Sequence, residues 1–238
     1  MKTNNFTDNC TGVILAGGEN KRMPVLKAFI EVEGKKIIER NLKIMRQLFN
    51  EIIIVTNQPE LYSYLGVPMF GDVYNIRGPM TGVLTALMNS SNKWIFVSAC
   101  DMPFINPDFI RFMANERYNP ACLAIIDRER NRDLDTISRA GIYDAVVPLV
   151  NYKAEPLFAF YSKKVMNSLE QFVLTGKKSI KYFLLNHDKR VKYITSEEIE
   201  NIDPEVRSFI NLNTPEDIKL YLSDRDKLKF QQSLLIKN

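Results

Sequence analysis

Gly12-Val13-Ile14-Leu15-Ala16-Gly17-Gly18-Glu19-Asn20-Lys21-Arg22-Met23-Pro24-Val25-Leu26-Lys27 joins a short apolar run to a pair of glycines and then to a cluster of cations. The apolar run reads as a buried parallel strand. The glycines let the backbone turn sharply and bring bare N–H groups close to an anion. Lys21, Arg22 and Lys27 add positive charge around the same point. A triphosphate is the kind of ligand such a loop suits.

Working outward, strands and helices alternate. Strands are predicted over 11–16, 51–56, 67–70, 93–99 and 121–126, and helices over 36–49, 60–65, 79–89 and 107–115. In the first long helix Ile37, Ile38, Leu42, Ile44, Met45 and Leu48 recur at helical spacing. Proline opens 79–89 in its first turn, and Asn106 caps 107–115. This alternation predicts an α/β, three-layer, Rossmann-like fold around a mostly parallel central sheet with right-handed crossovers. In such sheets ligands sit at the carboxyl ends of the strands. The Gly-rich loop, Asp72 and Asp101 all follow strands, so they are expected to converge on one edge.

The second half is less regular. A mixed-charge run over 127–135 reads as an exposed loop. Strands are predicted at 144–149, 157–161, 191–194 and 209–212, and helices at 164–174, 180–185 and 215–222. Thr214 is the expected N-cap of the last helix, with Asp217 as its acidic partner. The tail 223–238 reads as a loosely docked helix. The whole chain, 1–238, is expected to form one domain, with a nucleotide-binding half at 11–126 and an acceptor-binding half at 127–222.

The bulk numbers agree with a globular protein. Of 238 residues, 45% are hydrophobic and 25% charged, and the net charge of +4 is too weak and too dispersed to argue for nucleic acid. No apolar stretch approaches the roughly 18 residues that a membrane span needs. The polar segment 1–10 lacks the apolar region of a signal peptide. Cys10, Cys100 and Cys122 are far apart and odd in number, which suggests reduced thiols and a cytoplasmic setting. Five of the ten glycines (Gly17, Gly18, Gly71, Gly78, Gly82) are placed in loops after strands, where the backbone must do something unusual; ordinary turn chemistry is the alternative account, a better one for the last three than for the Gly17-Gly18 pair.

Asp101 follows the apolar strand in Ala99-Cys100-Asp101-Met102-Pro103. A carboxylate there can hold Mg²⁺, an ion usually bound by one or two carboxylates together with phosphates. A turn or capping aspartate is the simpler alternative. Asp72 follows its own strand in the same way. Lys27 is the best candidate for phosphate contact, as a compact mobile charge, and Arg22 can bind bidentately. His187, the only histidine, reads as a surface residue. Cys100 is expected to pack under its strand, discouraged from ionising by the neighbouring acid. The G-x-G-x-x-G and G-x-x-x-x-G-K-[ST] fingerprints are both missing, which argues against a dinucleotide oxidoreductase and a P-loop ATPase.

Leu15-Ala16-Gly17-Gly18 with Arg22-Met23 and Lys27 resembles the L-A-G-G-x-S-x-R-M-G-x-x-K loop of nucleotidyltransferases. Gly78-Pro79-Met80-Thr81-Gly82, Cys100-Asp101-Met102-Pro103 and Asn211-Leu212-Asn213-Thr214-Pro215-Glu216-Asp217 narrow the resemblance to the molybdenum cofactor guanylyltransferases, over about 11–221. Asn20 stands where that pattern has serine, and Pro24 where it has glycine, removing an N–H from the loop.

The resemblance implies GTP binding by Leu15, Ala16, Gly17, Gly18, Lys27, Asn57, Asp72 and Asp101, with Mg²⁺ on Asp101. It implies that Lys27, Arg22 and Asp101 act in catalysis, and that Lys178, Asn211 and Asn213 bind the molybdopterin acceptor. GMP transfer to the acceptor's terminal phosphate would release pyrophosphate. The implied protein partners are others of cofactor biosynthesis, or the enzyme that receives the cofactor. A cytidylyltransferase, another small-phosphate nucleotidyltransferase, and a non-catalytic nucleotide-binding regulator or carrier remain alternatives.

Overall fold

The computed structural model describes residues 7–17, 26–118, 143–176, 179–187, 190–224, 226–227 and 230–231. Along the chain they form β1 (Cys10–Leu15), β2 (Glu31–Val32), β3 (Lys35–Lys36), α1 (Ile37–Leu48), β4 (Glu51–Val55), β5 (Met69–Phe70), α2 (Pro79–Asn89), β6 (Trp94–Ala99) and α3 (Pro107–Asn115). Then follow β7 (Ala145–Val150), β8 (Lys153–Ala154), β9 (Phe158–Ser162), α4 (Met166–Leu174), α5 (Ile180–Asn186), β10 (Val191–Ile194), α6 (Ser196–Glu200) and α7 (Pro215–Tyr221).

The main sheet has the order β10-β7-β9-β6-β1-β4-β5, with β8 paired to β7. β1 runs parallel to β4 and β6, β4 to β5, and β7 to β10. β9 is antiparallel to both β6 and β7, between which it lies. The mostly parallel α/β sheet expected from the alternation is therefore present, with one reversed strand in the second half. The reversal follows from a short connection. Asn151 and Tyr152 take positive φ (48° and 61°) and turn β7 directly into β8; a parallel return needs a crossover of a dozen or more residues.

Side chains alternate across the sheet and fill two cores. Ile14, Phe96, Phe158 and Phe160 pack with Leu42 and Met45 of α1 and Phe109 and Met113 of α3. Val13, Ile95, Val97, Ala159 and Tyr161 pack on the other face with Val83 and Leu87 of α2, Leu169 and Val173 of α4, and Phe183 of α5. That is the three-layer arrangement. A third, smaller core joins Ile30, Val32 and Ile37 to Leu212, Ile218, Leu222 and Phe230.

Several expectations need correction. Residues 60–65 form two separate 3₁₀ turns, Pro59–Leu61 and Ser63–Leu65. Residues 209–212 are not a strand: a 3₁₀ turn, Arg207–Phe209, ends there, and the N–H of Leu212 bonds to Asp101 instead of a strand neighbour. Gly82 lies inside α2 rather than in a loop, where an added Cβ would stand 3.3 Å from Leu15. The hairpin β2–β3 and the helix α6 were not anticipated. The described part of the tail is docked, with Asp226 and Phe230 buried. The expected strand 121–126 and loop 127–135 lie outside the described residues.

Gly12 sits in the centre of the sheet because the ring of Phe49 occupies the space a side chain would need. An added Cβ would be 2.6 Å from the ring. Gly12→Ala is therefore expected to destabilise the fold by about 1–3 kcal/mol through overpacking, read as a lower urea midpoint at unchanged slope.

Candidate active site

Because β1, β4, β5 and β6 are parallel, their carboxyl ends open on one edge. Backbone bonds continue past the strand ends: Ala16 N–H to Val55 O (2.9 Å), Cys100 N–H to Leu15 O (3.1 Å) and Thr56 N–H to Phe70 O (2.9 Å). Leu15 and Ala16 are buried at this edge, and Gly17 is exposed there. Just past β4 and β5, Asn57 and Asp72 form a reciprocal pair. Asn57 Nδ2 donates to Asp72 Oδ2, and the Asp72 N–H donates to Asn57 Oδ1, both at 2.8 Å.

Two to three strand positions along, about 10–14 Å at the usual spacing, lies a second group. Lys27 begins a 3₁₀ turn, Lys27–Phe29. Its Nζ donates to Asn213 Oδ1 at 2.5 Å and pairs with Asp101 Oδ2 at 3.3 Å. The Lys27 and Asp101 side chains are only 23% and 17% exposed, so this charge pair is partly sheltered from water. Lys27 and Asp101 therefore share one cleft, together with a residue from the second half of the chain.

The local folding that delivers Asn213 is traceable. Asn106 caps α3 with its side-chain oxygen, gives its N–H to Ser208 Oγ (2.9 Å) and its Nδ2 to Ile202 O (3.1 Å). Asp203 accepts the Ser208 N–H at 2.9 Å. Val206, at φ 53°, makes the turn between them; positive φ is costly for a β-branched residue, and the surrounding bonds hold it there. The chain then crosses to Asp101, whose carbonyl accepts the Leu212 N–H (3.1 Å). Asp217 accepts the N–H groups of Asn213 and Thr214, and Thr214 caps α7 in return, completing the expected capping box. Sequence reasoning put Asn213 near the acceptor but missed its bond to Lys27, because nothing in the spacing of residues so far apart encodes a contact.

Asn211 turns its side-chain amide back to Phe209 O (3.1 Å) and does not join the Lys27 group. Gly18, Arg22 and Lys178 lie outside the described residues, as do Asn20 and Pro24. His187 stacks on Phe183 and bonds its carbonyl through Nδ1 (3.0 Å), a role at the end of α5. Burial, and secondarily the charge of Asp101, push the Cys100 thiol up to about 12; burial pushes Cys10 up to about 11.

Asp101 offers a hard, partly buried carboxylate at the strand edge. Among the described residues no three His, Cys, Asp or Glu side chains gather. A single carboxylate is a donor set that fits a divalent cation completed by water and phosphates.

The residues 12–191 match the family model described as a MobA-like NTP transferase domain. The chain belongs to that family. A probable molybdenum cofactor guanylyltransferase of Peptoclostridium acidaminophilum is 33% identical over 211 residues, covering 89% of this chain and 87% of the relative. A molybdenum cofactor guanylyltransferase of Syntrophotalea carbinolica is 31% identical over 209 residues, covering 88% and 89%. The solved molybdopterin-guanine dinucleotide biosynthesis protein A of Archaeoglobus fulgidus covers 93% of this chain and 99% of its own, at TM-score 0.66 and 24% identity, a likeness of fold. This MobA-like chain is thus a nucleotidyltransferase, as the loop resemblance implied. A divalent metal accompanies such transfers. Among the described residues no helix is long and apolar enough to cross a membrane.

At pH 8 thiols raised this far are protonated and unreactive. Brief iodoacetamide treatment of the native protein is expected to leave Cys10 and Cys100 unmodified by peptide mass mapping, with labelling only after denaturation. Fast native labelling at Cys100, which is only partly buried, contradicts the raised thiol.

Proposed function

We propose that the chain transfers GMP from GTP to the terminal phosphate of molybdenum-bearing molybdopterin, giving the guanine dinucleotide form and pyrophosphate. The contact of Lys27 with both Asp101 and Asn213 carries this reading. It supports a cleft in which one mobile cation lies between the strand-end carboxylate of the nucleotide half and a residue of the acceptor half. The names of the MobA-like relatives supply the two substrates.

In this scheme an oxygen of the acceptor phosphate attacks the α-phosphorus of GTP. A phosphorus–oxygen bond forms there as the bond to the β-phosphate oxygen breaks, and pyrophosphate leaves with the electron pair. The attacking oxygen is already anionic at neutral pH, so no strong general base is required. Positioning and charge neutralisation then supply the catalysis. Lys27 stabilises charge on the phosphates, and Arg22 adds a second cation from the same loop. Leu15, Ala16, Gly17 and Gly18 form the nucleotide end of the site, the two glycines offering backbone N–H groups to the triphosphate. The Asn57–Asp72 pair lies where the nucleoside end falls if the phosphates reach Lys27. We assign Mg²⁺ to Asp101; when bound, it would supply Lewis-acid stabilisation of the phosphate oxygens. Asn213, Asn211 and Lys178 serve the acceptor. The free thiols of Cys10 and Cys100 support a cytoplasmic setting, and neither nucleic acid nor membrane is assigned as a partner.

Pyrophosphate release with molybdopterin present is expected with GTP and not with CTP; the reverse preference makes the chain a cytidylyltransferase. Asp101→Asn is expected to lower turnover by about 10²-fold or more, on the scale of losing one transition-state charge stabiliser, and to flatten the Mg²⁺ dependence. Unchanged turnover removes Asp101 from the mechanism. Asn213→Ala is expected to raise KM for the acceptor more than KM for GTP, and the opposite order contradicts the division of the site.

A further inference from the structure

We propose that the carboxylate of Glu155 binds the head of the acceptor, accepting two parallel hydrogen bonds from the ring N–H and 2-amino group of a 2-amino-4-oxopyrimidine edge such as a pterin carries. The inference rests on the acceptor assigned above and adds a residue that neither the sequence pattern nor the relatives single out.

The sheet places Glu155. Leu157 O accepts the Ala99 N–H (3.0 Å) at the carboxyl end of β6, two residues before Asp101. Glu155 N–H donates to Pro148 O in β7 (2.9 Å). Glu155 lies in the stretch that leads into β9, which pairs with both β7 and β6, so it stands one strand position from the end of β6, about 5 Å at the usual spacing. It shares the open edge with Lys27, Asp101 and Asn213.

The chemistry of the group points the same way. Asp101, Asp72, Asp144 and Glu198 each have a side-chain hydrogen-bond or ion-pair partner. Glu155 is half-buried and, among the described residues, its carboxylate has none. Burial raises its carboxyl against the pull of Lys181 and Lys153, whose charges are near but not in ion-pair contact. A partly desolvated carboxylate without donors is unfavourable. Two convergent N–H donors on a planar ring satisfy both of its oxygens, with the two lysines balancing the charge.

The test is calorimetric titration of wild type and Glu155→Gln with molybdopterin, with GTP, and with 6-hydroxymethylpterin phosphate against the corresponding lumazine, which has oxygen in place of the 2-amino group. Wild type is expected to prefer the 2-amino compound by about tenfold, the scale of one bidentate pair. Glu155→Gln is expected to lose that preference and to bind molybdopterin about tenfold more weakly, with GTP affinity unchanged. The proposal is overturned if wild type shows no preference, which holds even if the variant does not fold. It is also overturned if the variant keeps wild-type molybdopterin affinity, or if GTP binding falls equally. Normal GMP transfer alongside any of these results removes Glu155 alone. Failure of wild type to bind molybdopterin or release pyrophosphate removes the acceptor reading itself.

Discussion

The ammonium of Lys27 ties together three parts of the chain that are distant in sequence: the turn after the Gly-rich loop, the end of β6 and the segment before α7. A cation only 23% exposed must be matched by acceptors or lose its solvation without return. Asp101 supplies the opposite charge and Asn213 a neutral oxygen. The neutral partner leaves the ammonium with spare attraction for a phosphate, which a second carboxylate would have quenched. Much of the second half of the chain serves to bring that one amide oxygen to this point.

Two features of the architecture make the meeting possible. Parallel pairing of β5, β4, β1 and β6 aligns their ends, so that residues following each strand look out over one edge. The reversed β9 extends the sheet sideways without a crossover helix. The chain just before β9 lies at that same edge, because β9 runs opposite to β6 and starts where β6 ends. One antiparallel strand thus joins a parallel edge of ordinary α/β design to the strands of the second half.

The smallest core is the one that couples the site's two sides. Ile30 and Val32, just beyond Lys27, and Leu212, between Asn211 and Asn213, are buried in the same cluster, closed by Ile218, Leu222 and Phe230. Asp226 adds polar fixings: its Oδ2 accepts the Glu33 N–H and the Ser223 hydroxyl, both at 2.9 Å. The described part of the C-terminal segment therefore braces the hairpin beside Lys27 and belongs to the site's support.

Local chemistry was legible in the sequence. The helices at 79–89 and 107–115, the strand at 191–194, the Asn106 cap and the Thr214–Asp217 box follow from residues a few positions apart, whose preferences act over that range. The strand-end placement of Asp72 and Asp101 followed from strand–helix alternation. The sequence motifs also sufficed to recognise the family. Sequence could not decide the direction of β9, the loss of a strand at 209–212, the pairing of Asn57 with Asp72, or the union of Lys27 with Asn213. Each depends on which distant groups offer a free donor or acceptor once the chain is packed. Propensity and period carry no record of such partners, and only the assembled sheet and its cores decide them.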